Sequence, residues 1–268
     1  MPTVEENRAS WGRDYDWPSD GDEWSAPWGG SEMQWNFSLL PRLHQYLPAA
    51  NILEIAPGFG RWTQYLANQC ERLTAVDLSE KCIAACKRRF AGNSRIHYFV
   101  NDGKDLSMLP ERAFDLVFSF DSLVHAEADV FEAYLPQLAK VLKPDGVGFI
   151  HHSNSGNYRA LLSLSINFQV PVLAGLLRKL KITEANTHWR ALSMTGERFE
   201  EIAARANLAC ISQELVDWQT RKGLLIDCFS TFTPRGSKFE RPNRRYANAG
   251  FMQEVRTIKA LAGLYGRK

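Results

Sequence analysis

Residues 51–62 read NILEIAPGFGRW, a short apolar strand that runs into a glycine-rich turn and then a helix. Ile52, Leu53 and Ile55 have the composition of a buried parallel strand, Gly58 and Gly60 allow a tight turn against a ligand, and Arg61 to Gln69 opens the helix. Such a turn cradles a nucleotide-like group. Asp77 follows seventeen residues after Gly60, at the close of a second apolar strand, Leu73 to Val76, where a carboxylate can hold the two hydroxyls of a ribose. Two departures separate the stretch from a dinucleotide-binding turn. Glu54 sits inside the strand, and Gln64 stands near the place of the third glycine that would receive a pyrophosphate. A cofactor without a pyrophosphate fits better.

The pattern continues downstream. Asn101-Asp102-Gly103 follows a third strand, Ile96 to Val100; FDLVFSFDSLVH spans Phe114 to His125; LKPDGVGFIHH spans Leu142 to His152. In this order the segments resemble the class I S-adenosylmethionine-dependent methyltransferases. The resemblance implies a Rossmann-like, doubly wound α/β fold with a seven-stranded, mostly parallel sheet closed by an antiparallel hairpin. It also implies cofactor contacts from Glu54, Ala56, Gly58, Gly60, Asp77, Leu78, Asp102, Gly103 and Phe120, with Asp102 reading adenine.

Strands alternate with helices from Asn51 to His152, as in a parallel sheet covered on both faces, and ligands of such sheets lie beyond the carboxyl ends of the strands. Residues 195–207 form an amphipathic helix, and Ala209 to Trp218 and Leu224 to Phe232 form the closing hairpin. Three segments frame this core of residues 51–234. Residues 1–50 carry Trp11, Trp17, Trp24, Trp28 and Trp35 among glycines and prolines, which reads as a loop-rich aromatic cap followed by a helix from about Ser31 to Tyr46. Residues 155–190 interrupt the rhythm; Leu161 to Ile182 is apolar, yet its serines, Asn167, Gln169 and Pro171 argue for an inserted helical lid or partner surface rather than a span. Residues 235–268 hold nine Lys or Arg against two Glu, a local charge of +7 in a chain whose net charge is only +2. That tail suits a docked terminal helix, with contact to an anionic or membrane surface, or to a second copy of the chain, as the alternatives.

A chain of 268 residues with 45% hydrophobic content suits one large domain. The opening MPTVEENRASWGRD lacks a charged and then apolar leader, so a cytoplasmic location is expected. Cys70, Cys82, Cys86, Cys210 and Cys228 show no metal-type clustering and read as free buried thiols.

Methyl transfer to a hydroxyl needs the acceptor positioned and its proton removed. His125, after Asp121 and Ser122, is the first candidate base, with Asp121 on the same helical face to orient it; His152 is the second. Trp28, Trp35, His151, Asn154, His188 and Arg190 are candidate acceptor contacts. A divalent ion held by Asp121, His125 and a strand-five histidine is not favoured. Because Ser119-Phe120-Asp121-Ser122 stands where base-modifying amino methyltransferases carry Asn-Pro-Pro-aromatic, a nucleic-acid acceptor is not expected, and the aromatic cap and polar groups suit a sugar or glycan hydroxyl. The segment from His125 to Asn154 is also similar to methyltransferases of bacterial polysaccharide and glycoconjugate clusters. The rivals are a lipid or small aromatic acceptor, and a non-catalytic S-adenosylmethionine-binding protein.

Overall fold

Runs rich in Ile, Leu, Val and Phe make the strands of one sheet, and the polar, small-residue turns between them set its order. The computed structural model describes residues 3–160, 190–218 and 224–265. Its strands are β1 (Ala49–Ile55), β2 (Cys70–Asp77), β3 (Ile96–Val100), β4 (Phe114–Ser119), β5 (Leu142–Ser153), β6 (Leu208–Val216), β7 (Asp227–Pro234) and β8 (Arg244–Asn248), in the order β3-β2-β1-β4-β5-β7-β6-β8. β1 to β5 are parallel, and β7 is inserted antiparallel to both β5 and β6. The doubly wound sheet and its closing hairpin are therefore as expected.

The eighth strand is not. β8 pairs parallel to β6 from within the segment read as a basic tail. Four of its five residues are exposed, so no apolar alternation announces it. Polar anchors hold it instead: Arg245 binds Glu197 and Glu200, and Asn248 binds Glu214 at 2.7 Å.

Because strand side chains alternate, each strand feeds two cores. Leu53, Ile55 and Val117 face α6 (Ala128–Val141) and α7 (Gly196–Arg205), whose Phe131, Leu135, Phe199 and Ile202 are buried against them. Ile52, Leu116, Phe118 and Phe149 face the other side. α1 (Val4–Ala9) sets Val4 against the first of these cores. The second is covered by the chain ends, through the helical run of α2 (Ser31–Gln34), a π turn and α3 (Leu40–Leu43), and through α8 (Phe251–Tyr265), which packs Phe251, Val255 and Ile258 inward. Arg42 on α3 ties them together, binding Glu214 of β6 at 2.7 Å and Glu254 of α8 at 3.0 Å. The terminal helix thus docks on the domain, while Leu264 and Tyr265 at its end stay exposed.

Two shorter helices flank the first turn, α4 (Thr63–Leu66) and α5 (Glu80–Arg89). The region read as a lid is described only at its ends, so that reading lies outside the described residues, as does His188. Among the described residues no helix is long and apolar enough to cross a membrane. All five cysteines are free and buried.

Candidate active site

The turn after β1 places three of five residues in the left-handed region: Ala56 (φ 57°), Gly58 (φ 58°) and Gly60 (φ 89°). Ala56 holds a conformation its Cβ disfavours, a kind of strain that gathers at ligand sites. The glycines are required by crowding. A Cβ on Gly58 would lie 2.7 Å from Trp17, and one on Gly60 would lie 2.5 Å from Phe90. Asp77, at the end of β2, accepts the backbone N–H of Gly58 at 3.1 Å and of Ser79 at 2.8 Å. Burial nevertheless pushes its carboxyl up to about 6.

Beyond this turn lies a cavity of about 480 Å³. That is within the usual range of small-molecule sites, roughly 300–1,000 Å³. Ala56, Gly58, Asp77, Leu78 and Gly103 line one part of it; Phe120, Asp121, His125, Arg61, Arg190, Trp62 and Trp218 line another. The N-terminal segment closes the top. Asn7 donates to the His125 carbonyl at 3.0 Å, Arg8 to that of Asp102 at 3.2 Å, and Lys81 to that of Tyr15 at 2.9 Å. Trp17 stacks on Phe59 at 4.7 Å, and Trp11 lies over the His125 ring at 5.2 Å.

The charged groups deeper in the cavity are matched in pairs. Arg61 donates to Asp121 at 2.8 Å while lying over the Trp62 ring. Arg190 makes a two-point contact with Asp227, at 3.0 and 2.8 Å, and both are buried. Burial works against the Asp227 charge, but Arg190 and His151 hold its carboxyl well below the usual range. His151, fully buried among Phe120, Trp218 and Phe229, accepts the Asp121 backbone N–H on Nδ1 at 3.1 Å.

Several expected site residues are elsewhere. His152 points to the opposite face of β5, stacked on Phe199 at 4.5 Å, with Nδ1 bonded to the Ser153 carbonyl and Nε2 to the Ser230 hydroxyl. Burial lowers its pKa to about 4. It is a neutral core histidine, cut off from the cavity, and not a catalytic base. Asn154 is buried, donating to the Leu225 carbonyl and accepting the Gly196 N–H, so it braces loops and does not face an acceptor. Trp28 and Trp35 belong to the core: Trp28 packs on Trp218 and Phe251, and Trp35 stacks on Tyr65 at 5.3 Å. Asp121 does not orient His125 from a shared helical face, because it sits in a left-handed turn (φ 61°) and gives its carboxylate to Arg61. Among the described residues no three His, Cys, Asp or Glu side chains gather as a metal ion requires.

Glu54 and Asp102 flank the cavity without lining it. Glu54 is buried beneath the turn, accepting the Thr63 hydroxyl at 2.6 Å. Asp102 is exposed and spends one oxygen on the N–H groups of Lys104 and Asp105, while Asn101 beside it braces Gly103 and Tyr134. Gly60 packs on Phe90 and does not touch the cavity.

Sequence reasoning overlooked the wall residues Tyr15, Arg61 and Trp218 and the buried Asp227 behind them, and preferred Trp28 and Trp35 to Trp11, Trp17 and Trp24. One signal was present: Trp35, Leu39 and Leu43 recur at helical spacing, which marks a core face. The Arg190–Asp227 pair has no local signature, because the partners are 37 residues apart.

Residues 52–146 match the model of a family described as "Methyltransferase domain" (Methyltransf_25). Over this stretch the chain is similar to a methyltransferase domain. Nodulation protein S of Sinorhizobium fredii (strain NBRC 101917 / NGR234) is 27% identical over 126 residues, covering 47% of this chain and 57% of that protein. The chain thus spans little more than half the length of that relative. Among solved structures, N-methyltransferase NodS from Bradyrhizobium japonicum WM9 in complex with S-adenosyl-l-homocysteine has a TM-score of 0.56 at 17% identity, covering 88% of this chain and all of that one. The DhpI-SAM-HEP complex has a TM-score of 0.53 at 22% identity, covering 86% and 95%. At these identities the structures share the fold of the methyltransferase domain.

S-adenosylmethionine is the cofactor of such a domain, and the residues present fit it. The cavity is of suitable size, Asp77 stands at its edge beside the glycine turn, and a buried oxygen of Glu54, Oε1, has no partner among the described residues.

Proposed function

We propose that the chain is an S-adenosylmethionine-dependent O-methyltransferase acting on a hydroxyl of a sugar, glycan or glycoconjugate. When bound, the cofactor supplies a methyl group on positively charged sulfur. Asp77 would hold the ribose hydroxyls, Gly58 would line the cofactor with its backbone, and Glu54 would answer its positive end directly or through water. His125 would take the acceptor's proton on its imidazole as the new carbon–oxygen bond forms. In this reading residues 1–50 act as the cap, 51–234 as the catalytic core and 235–268 as a tail that adds β8 to the sheet and docks its terminal helix.

The observation that carries the reading is the wall opposite the turn. His125 lies under Trp11, Trp24 and Trp218 offer further rings, and both cavity arginines are answered by carboxylates. Such a wall suits a neutral, hydroxylated acceptor, since sugar rings stack on aromatic faces while their hydroxyls take directed hydrogen bonds. It gives little to a phosphate backbone, which needs unmatched cations. The test is incubation with methyl-labelled cofactor and a panel of neutral sugars, glycans, uronic acids, amino sugars and simple amines, read by mass. Gain of one methyl on a neutral glycan hydroxyl supports the proposal; labelling confined to nitrogen overturns it.

A second reading, an amine acceptor, is favoured by the similarity to a protein named as an N-methyltransferase. The amino-sugar arm of the same panel separates the two.

A further inference from the structure

We infer that His151, which does not touch the cavity, is a positioning residue that fixes the acceptor wall through Asp121. Asp121 is a non-glycine residue in the left-handed region, a conformation that persists only where its surroundings hold it. The hold is visible. Its backbone N–H is taken by His151 Nδ1 at 3.1 Å, and its carboxylate by Arg61 at 2.8 Å. An accepting Nδ1 leaves the proton of the neutral ring on Nε2. That nitrogen faces Asp227 Oδ2 at 3.2 Å, at an angle poorer than a full hydrogen bond, and Arg190 binds the same oxygen at 2.8 Å. Phe120, Trp218 and Phe229 pack around the ring at 4.7 to 4.8 Å and leave it no alternative place.

A chain of contacts therefore runs Arg190–Asp227–His151–Asp121–Arg61. Its two ends and Asp121 line the cavity, whereas His151 and Asp227 lie behind it. His151 is the joint between the two ion pairs. Without its acceptor, the Asp121 turn loses the bond that sets its backbone, and the Arg61 guanidinium loses a fixed partner on the acceptor side. The cofactor side rests on β1, β2 and their turns, and meets this chain only at Arg61, the last link, whose backbone belongs to the β1 turn and does not depend on His151.

The test compares His151→Phe, which keeps a ring but removes both nitrogens, with His151→Asn, whose side-chain oxygen can replace Nδ1. Amide exchange at Asp121, S-adenosylmethionine affinity by calorimetry, and acceptor KM and kcat are read in each. Expected for His151→Phe is unchanged cofactor affinity, with Asp121 amide protection lost and acceptor KM raised by about 10-fold or more, the scale of one removed buried partner. His151→Asn should restore both. If His151→Phe leaves Asp121 protection intact, or if cofactor affinity falls together with it, His151 is only a core residue and the inference fails. Should His151→Phe not fold, protection of Asp121 retained in His151→Asn and lost in His151→Leu decides it, and equal loss in Asn and Leu overturns it. The kinetic arm rests on the methyl-transfer reading and the exchange arm does not. A protein without turnover whose Asp121 amide still depends on His151 would sink that reading alone.

Discussion

The Thr63 hydroxyl binds Oε2 of Glu54 at 2.6 Å, while Oε1 of the same buried carboxyl has no partner among the described residues. Burial dominates and pushes the Glu54 carboxyl up to about 8, with the Thr63 bond opposing and Asp77 adding to the rise. In the free protein at neutral pH this group is therefore mostly protonated. A ligand carrying positive charge favours its carboxylate, so binding should release a proton.

The first prediction follows with its sign. S-adenosylmethionine affinity should rise with pH towards about 8 and then level, and Glu54→Gln should lack that slope. The stability of the free protein should run the opposite way. A raised acid contributes stability that is fully present below its ordinary pKa of 4.5 and is lost as pH rises through about 8. Calorimetry in two buffers of different ionisation enthalpy reads the proton; an affinity flat between pH 6 and about 8 would sink the assignment.

Asp77 carries the second prediction. Its two oxygens are already steered by the N–H groups of Gly58 and Ser79 towards the end of the parallel strands. Asp77→Ala should weaken S-adenosylmethionine binding by roughly 1.5–3 kcal/mol, the range for hydrogen bonds to a charged group. A folded variant that binds as tightly as the parent would remove Asp77 from the ribose site.

What could be read from sequence alone was whatever is local. The β1 turn, the Asp77 spacing and the order of β1 to β5 depend on short apolar runs and on glycine at left-handed positions, and these leave marks within a few residues. β8 leaves none, being a polar strand held by Arg245 and Asn248 against distant glutamates. The choice between His151 and His152 was equally invisible, since alternation says that they face opposite sides but not which side holds the cavity. Only the packing of Phe199 on one and Trp218 on the other separates them.

The same distinction divides the tryptophans and gives the third prediction. Trp28 is fully buried against Trp218 and Phe251, so Trp28→Ala should cost about 3–5 kcal/mol of stability, as large aromatic truncations do. Trp11 is only partly buried and covers His125 at the cavity. Trp11→Ala should leave most of the stability intact and lower acceptor turnover. Denaturant melts paired with turnover of the panel acceptor check the contrast; equal destabilisation by the two would show that Trp11 is also a core anchor.

The last prediction concerns the proton. A hydroxyl is a poor nucleophile near neutral pH, and an imidazole, ordinarily titrating near 6.5, is the side chain best matched to receive its proton. Two histidines close to the sheet's carboxyl edge are excluded by their surroundings: His152 is sealed behind Phe199, and His151 spends Nδ1 on the Asp121 backbone. His125 remains on the cavity wall, its backbone carbonyl tied to Asn7 of the cap and its ring set under Trp11. General-base removal commonly costs roughly 10²–10⁴ in rate, so His125→Ala should lower kcat by about that factor with cofactor affinity unchanged. His125→Gln, which keeps polarity without a titrating proton acceptor, should fall almost as far, and the pH–rate profile of both variants should lose the ionisation seen in the parent. If His125→Ala keeps most of its turnover and pH profile, the acceptor needs no base from this wall, as expected of an amine that arrives unprotonated.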